Sequence, residues 1–354
     1  MYGVSQSNFE LGYSPKTTMA STLNASSVGN FQNGDTLWCA LHTGLNTISW
    51  TDLDAFVDDA KAAGIESGLY VLYGCPTFIA QPADQTVAGA YGFLGENSYH
   101  SDLSQLTWFC QQFAARNVAT WGGFFKWVQL FNEPEAGGEF TASGNFFKYS
   151  ATQFVNQLWT AYSAFKAADP SLELLCPGTY DMTVMATWLD TTENVSGFTK
   201  HGYDCFDHIA LHPYYATPNP AYSGRGDFYT LNRGGIGKTK ELLDVRGKTG
   251  VKYYATEWGF STYDPPVTAL IEGLSDADRA LIMQREILGA MRVGFSGLWL
   301  WGVGNAYHYA GNIGADPNGV DAGFNAAAAV VVGRTPIDAG YCANGAETVV
   351  GDDY

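Results

Sequence analysis

Two carboxylates stand where acid chemistry needs them. The run WVQLFNEPEAGG (residues 127–138) is apolar as far as Phe131 and then delivers Asn132-Glu133-Pro134. Trp127, Val128, Leu130 and Phe131 are strand formers and Pro134 removes a ladder donor, so Glu133 belongs at the tip of a core strand. The run KYYATEWGFST (residues 252–262) likewise turns from apolar to acidic at Glu257, followed by Trp258 and Gly259. A charge beside a core is costly unless it is paired or used. One such Glu is more simply read as a turn cap or a loop salt bridge; two at matching strand ends are harder to dismiss. Carboxylates on either side of a cleft are what glycosidic cleavage requires. One protonates the departing oxygen while the other attacks or stabilises the anomeric carbon.

To face one another, these groups need a scaffold. Eight short apolar or β-branched segments stand out: Tyr2–Ser7, Thr36–His42, Ser67–Gly74, Lys126–Glu133, Leu172–Gly178, His208–Tyr215, Lys252–Glu257 and Gly297–Val303. Helical patterns separate most of them. WTDLDAFVDDAKAAG puts Leu53, Phe56, Val57 and Ala60 on one face, with Thr51 as N-cap and Gly64 as stop. Residues 103–117, 151–170 and 275–294 repeat the pattern, whereas the helices after the first and fifth segments are weakly marked and only NAAAAVVVG follows the eighth. Alternating strands and helices indicate a parallel sheet, and eight units predict an α/β fold of the (β/α)₈ TIM-barrel type. Connections from helix to strand are short. Those from strand to helix (75–102, 135–150, 216–231, 260–274 and 304–324) are long and rich in Tyr and Phe. These long loops therefore lie on the C-terminal face, where barrel enzymes build their sites. Aromatic loops suit sugar rings, although some of these side chains must serve only to anchor their loops. The fourth and seventh strand tips, with Glu133 and Glu257, face each other across such a mouth. We read residues 1–354 as one catalytic domain, with the barrel over about 1–303 and a strap or tail over about 325–354.

Composition narrows the partners. With 46% hydrophobic and 15% charged residues, the chain can bury a large core. A formal net charge of −17 disfavours nucleic acid and anionic membranes. No apolar run reaches transmembrane length, and the start shows no basic region followed by an apolar stretch. None of the six cysteines forms a CxxC pair, so no metal site or cofactor is expected, while disulfides and free thiols are equally open. The GGIGKT run at 234–239 lacks the first glycine of a phosphate loop, since Asn232 stands there. His208 and His212 lie about 13 Å apart on a strand, too far to share a metal.

LFNEP at the end of the fourth strand and TEWG at the end of the seventh resemble the signatures of the clan A retaining glycoside hydrolases. The resemblance covers about Met1 to Val303. Within the clan, residues 48–78 (ISWTDLDAFVDDAKAAGIESGLYVLYGCPTF) resemble family 39, and LHPYY at 211–215 resembles family 5. It implies Glu133 as acid/base and Glu257 as nucleophile. It also implies Asn132 as the amide on the sugar 2-hydroxyl, and His212 and Tyr214 as sixth-strand groups near the nucleophile. Trp301, on the strand face of Trp299, is implied as the platform beneath the sugar, and Trp258 joins the substrate-binding candidates. Clan members often carry an Arg near the end of the second strand; here His42 stands where that cation is expected. The expected protein is thus a secreted, monomeric, endo-acting hydrolase of polysaccharide or oligosaccharide. A catalytically degenerate sugar-binding barrel is the rival reading, and an exo-acting enzyme or transglycosylase would use the same residues.

Overall fold

Short, mostly apolar runs form eight parallel strands in one sheet. These are β1 (Tyr2–Ser5), β2 (Ser27–Gly29), β3 (Gly68–Leu72), β4 (Phe125–Leu130), β5 (Glu173–Leu175), β6 (Ile209–Leu211), β7 (Tyr253–Trp258) and β8 (Phe295–Leu300). The computed structural model describes residues 2–5, 27–30, 34–62, 64–134, 140, 146–179, 181–197, 199–213, 235–258, 290, 294–300, 336–341 and 347–351. The spatial order is β5-β4-β3-β2-β1-β8-β7-β6, so every strand lies beside its neighbours in sequence and β1 also pairs with β8, Gly3 opposite Trp299. The two outer strands, β5 and β6, are joined by isolated parallel bridges, Leu175 to His208 and Thr179 to Leu211. The Cys176 N–H also donates to the His208 carbonyl at 2.9 Å.

Five described helices follow β2 to β6: α1 (Thr51–Ala62), α2 (Leu103–Ala119), α3 (Ala151–Ala168), α4 (Met182–Asp190) and α5 (Ile236–Asp244). Their starts are fixed by side chains. Asp102 caps the Ser104 N–H, Ser150 and Gln153 form a capping box, and Asp181 accepts from Thr183 and Val184. Helix α1 buries Leu53, Phe56, Val57 and Ala60 as its periodicity predicts, and Gly64 ends it with φ +82°. Helix α4, weakly marked in sequence, is a regular helix of nine residues.

Register divides the sheet into two faces. Tyr70, Val128 and Leu174 are aligned, and Tyr70 meets Phe113 of α2 at 4.3 Å between ring centroids, so this face takes the helices. Val71, Gln129 and Leu175 are aligned on the opposite face, as are Leu69, Trp127 and Glu173. On that second face Glu173 accepts from Trp127 Nε1 at 2.8 Å, Tyr254 Oη at 3.1 Å and Lys252 Nζ at 2.6 Å. Burial raises the Glu173 pKa, but the Lys252 bond and charge, aided by the indole and phenol donors, bring it below its usual value.

The second strand differs from the sequence expectation. Thr36–His42 is not a strand: it forms a 3₁₀ turn (Gly34–Thr36) and a one-turn helix (Trp38–Leu41), and His42 opens a small hairpin outside the main sheet. The physical reason lies in its periodicity. After the buried Thr36, the buried residues are Leu37 with Leu41 and Trp38 with His42, a spacing of four rather than two. The true β2 is three residues long and ends beside Asn30. That buried amide accepts from the Val71 N–H at 2.6 Å and reaches back to the Thr36 carbonyl at 3.3 Å. The five described cysteines, Cys39, Cys75, Cys110, Cys176 and Cys205, are free thiols. No described helix is long and apolar enough to cross a membrane.

Candidate active site

Glu133 and Glu257 meet at one histidine. His212 Nδ1 lies 2.6 Å from Glu133 Oε1 and 3.6 Å from Glu257 Oε2, and one donor atom from each of the three side chains lies within 4.8 Å of the other two. The His212 side chain is wholly buried, Glu257 shows 6% of its side chain and Glu133 shows 14%. The cluster is therefore dry at its base and open on the Glu133 side. Donors sharing one ion at about 2.0–2.2 Å would sit wider apart than 2.6 Å, so the Glu133–His212 contact has hydrogen-bond rather than coordination geometry.

Neither carboxylate arrives by regular strand alternation. On β4, Trp127 and Gln129 occupy the site-facing register, and simple alternation would send Phe131 there too. Phe131 instead adopts φ +66° and packs against Phe154 of α3 and against His100, with ring centroids 6.1 and 6.2 Å away. That reversal gives the next seats to Asn132 and Glu133. Glu133 itself has φ +30°, and its N–H donates to the Gly178 carbonyl at 2.8 Å. Non-glycine residues with positive φ are uncommon, and two within three positions mark a backbone bent for a task.

On β7 the device is a bulge. Ala255 pairs with Leu298 and Trp258 with Leu300, so Thr256 and Glu257 together oppose Trp299. In an unbroken ladder Glu257 would oppose Leu300 and face the helices; the extra residue returns it to the site face.

The other sequence candidates separate into groups. Asn132 is in the cluster, 2% exposed, with its Oδ1 accepting from Gln129 Nε2 at 3.2 Å. His212 is there too, closer to Glu133 than to Glu257. Tyr214 and Trp301 lie outside the described residues. Trp299 is fully buried against Trp127 and Tyr254, with centroids 5.7 and 5.9 Å away, and so presents no surface to a sugar; Trp258 is likewise buried. His42 is not at a sheet-strand tip. It is 1% exposed, accepts from Trp38 Nε1 at 3.1 Å and is packed by Phe78, Trp108 and Phe109. Burial drives its pKa down to about 4, opposed by Gln105, so it is a neutral core residue and not a cation. His100, beside Trp38 and Phe131, is driven down to about 3 by burial and by His42.

The first long loop, 75–102, is held from within. Glu96 accepts from the Tyr91 and Phe93 N–H groups and from Tyr73 Oη at 2.9 Å. Tyr73 meets Tyr91 and Phe146 edge-on, and Phe147 packs on Phe154, so several loop aromatics are anchors.

Two site residues escape sequence reading. Gln129, fully buried, donates to the Phe131 carbonyl at 2.9 Å as well as to Asn132. Its signal was a lone amide inside an apolar strand. Gly178 gives room to both: a Cβ there would lie 2.2 Å from His212 Nε2 and 2.7 Å from Gln129 Nε2. Nothing in sequence separates it from an ordinary strand-end glycine.

No family profile and no curated protein sequence matches the chain. Solved structures do. A glucosidase from Croceicoccus marinus superposes with a TM-score of 0.59 at 15% identity, over 91% of this chain and 66% of that one. A GH30 endoxylanase from Clostridium papyrosolvens C71 gives 0.57 at 14%, over 99% and 78%. Xylanase10C from Cellvibrio japonicus gives 0.55 at 14%, over 92% and 70%. The chain shares their fold. These are TIM-barrel glycoside hydrolases, and at such identity the likeness extends to architecture alone. The chain spans just under two thirds of the glucosidase.

Proposed function

We propose that this chain is a retaining glycoside hydrolase of clan A, with Glu133 as acid/base and Glu257 as nucleophile. The observation that carries the reading is the approach of the two carboxylates, with oxygens within 4.8 Å across His212. Retaining enzymes hold their carboxyl groups about 5–5.5 Å apart, whereas inverting enzymes leave about 6.5–9.5 Å for a water. The architecture implied is a closed (β/α)₈ barrel in a single catalytic domain. Seven laddered strand pairs and the bridges between β5 and β6 support closure.

The chemistry then runs in two displacements. Glu133 gives its proton to the leaving-group oxygen as a Glu257 oxygen bonds the anomeric carbon and the glycosidic bond breaks. Glu133 then takes a proton from water, whose oxygen displaces Glu257. His212 touches both groups and keeps each aimed. Asn132 contacts the 2-hydroxyl, and Tyr214 and Trp301 complete the sugar site. The substrate is a polysaccharide or oligosaccharide cut within the chain by a secreted monomer, with sequence features of families 39 and 5. The glucosidase and xylanases that share the fold favour a hydrolase over a sugar-binding barrel, as does retention of both carboxylates.

Trapping decides it. Incubation with 2-fluoro activated glycosides followed by peptide mass spectrometry should label Glu257. A label on Glu133, or no label with any glycoside the protein turns over, refutes the assignment.

A further inference from the structure

We infer that Gln129 is a positioning residue for this cleavage: it fixes which way the Asn132 amide points. The inference rests on the hydrolase reading above. Gln129 Nε2 lies 2.9 Å from the Phe131 carbonyl and 3.2 Å from the Asn132 side chain. A main-chain carbonyl can only accept, so the Gln129 atom facing it is the NH₂. The other hydrogen of that NH₂ needs an acceptor, and Asn132 must therefore turn its Oδ1 toward Gln129. Its own NH₂ is then directed away from Gln129, as a donor to whatever occupies the cleft. Without this tie the two ends of the Asn132 amide are nearly the same shape, and half of its orientations would present an acceptor in place of a donor.

The surroundings are built for the contact. Gln129 is fully buried, and its Oε1 has no partner among the described residues. A methionine of similar size would fill the space without burying an amide whose oxygen goes unused. Among the buried side chains of its strand Gln129 is the one polar group, and what it does there is donate twice. Gly178 lets it sit so close, since a Cβ would come 2.7 Å from Nε2.

The test compares Gln129→Met with wild type on 2,4-dinitrophenyl glycosides, whose leaving group needs no proton from Glu133, and on their 2-deoxy analogues. On the 2-hydroxy substrate, kcat should fall about 10–100-fold with KM within about twofold, as for a contact strengthened in the transition state. On the 2-deoxy substrate, the fall should be under about threefold. In an Asn132→Ala background, Gln129→Met should cost almost nothing further on either substrate. Gln129→Glu, the same shape without the donor, should behave like Gln129→Met. Equal losses on both substrates, or additive losses with Asn132→Ala, overturn the role, as does failure of both Gln129 variants to fold. A wild type inert to every glycoside refutes the hydrolase reading itself and removes this role with it. A wild type active on both substrate types with an unchanged ratio in Gln129→Met refutes the role of Gln129 alone.

Discussion

Replacing Gly178 by Ala is the most demanding test of the site's construction. Gly178 does not use the left-handed region, so its backbone accepts alanine and the whole effect is steric. The added methyl carbon would stand 2.2 Å from His212 Nε2, 2.6 Å from its Cε1 and 2.7 Å from Gln129 Nε2. Ordinary contact begins near 3.4 Å, so the imidazole has to recede by about 1 Å. It cannot do so freely, because the His212 main chain is held by its N–H donating to the Thr179 carbonyl at 2.9 Å and the ring Nδ1 lies 2.6 Å from Glu133. Overpacking of this kind costs about 1–3 kcal/mol, which a chain of this size should survive. A displacement of about 1 Å at the reacting groups costs about 10²-fold in rate. We therefore expect Gly178→Ala to melt a few degrees below wild type and to lose about a hundredfold in kcat/KM on 4-nitrophenyl glycosides. Gly44→Ala is the control: its Cβ would meet nothing closer than 3.9 Å, and both readouts should match wild type. Activity of Gly178→Ala within threefold of wild type would refute the claim that His212 is fixed between the carboxylates.

Further outcomes follow from the same geometry. Glu257→Ala should be inactive on every glycoside, whereas Glu133→Ala should still load with dinitrophenyl substrates and accumulate the glycosyl-enzyme; equal behaviour of the two variants contradicts the assigned roles. His42, held near 4 against about 6.5 unfolded, leaves the unfolded chain binding more protons between those values. Its contribution is thus present at neutral pH and lost as pH falls from about 6.5 toward 4, a loss on the order of 3 kcal/mol. Denaturant titrations at pH 7 and pH 4.5 should show a smaller loss in His42→Asn than in wild type, and an equal loss would mean the imidazole is not buried neutral. Early products from polysaccharide should be oligosaccharides of mixed length; monosaccharide alone would exclude internal cleavage.

The meeting of Glu133, Glu257 and His212 was more legible in the sequence than the scaffold's irregularities, because polar residues that interrupt apolar strand patterns are few. β2 was not, because three residues carry no period, and the aromatic stretch after it imitates a strand while burying residues four apart. Gln129 stands in the sequence only as a lone amide, and its two acceptors depend on the left-handed turn at Phe131, which no local propensity announces. The bulge that returns Glu257 to the site is a property of two paired strands, and register between residues 255 and 298 is not written in either alone. His42 was misplaced for the same reason as β2: assigning it to a strand tip gave it solvent, while the fold gives it a jacket of rings.

The pairing of β1 with β8 sets a schedule for making this protein. Gly3 lies opposite Ser27 on one side, but on the other its neighbour is Trp299, nearly the whole chain away. At about 5–20 residues per second, a ribosome takes roughly 15–60 s to synthesise that partner after the first strand has emerged. Throughout that interval β1 has one open edge, and the groups that converge on His212 are themselves still arriving, with Glu257 near the end of the series. Local helices can form early, but sheet contacts of such range carry a large loop-closure cost and come late. Release of a nascent chain before residue 295 should therefore leave β1 with an unpaired edge and the molecule open to proteases. Catalytic competence should appear as a single late event rather than by degrees.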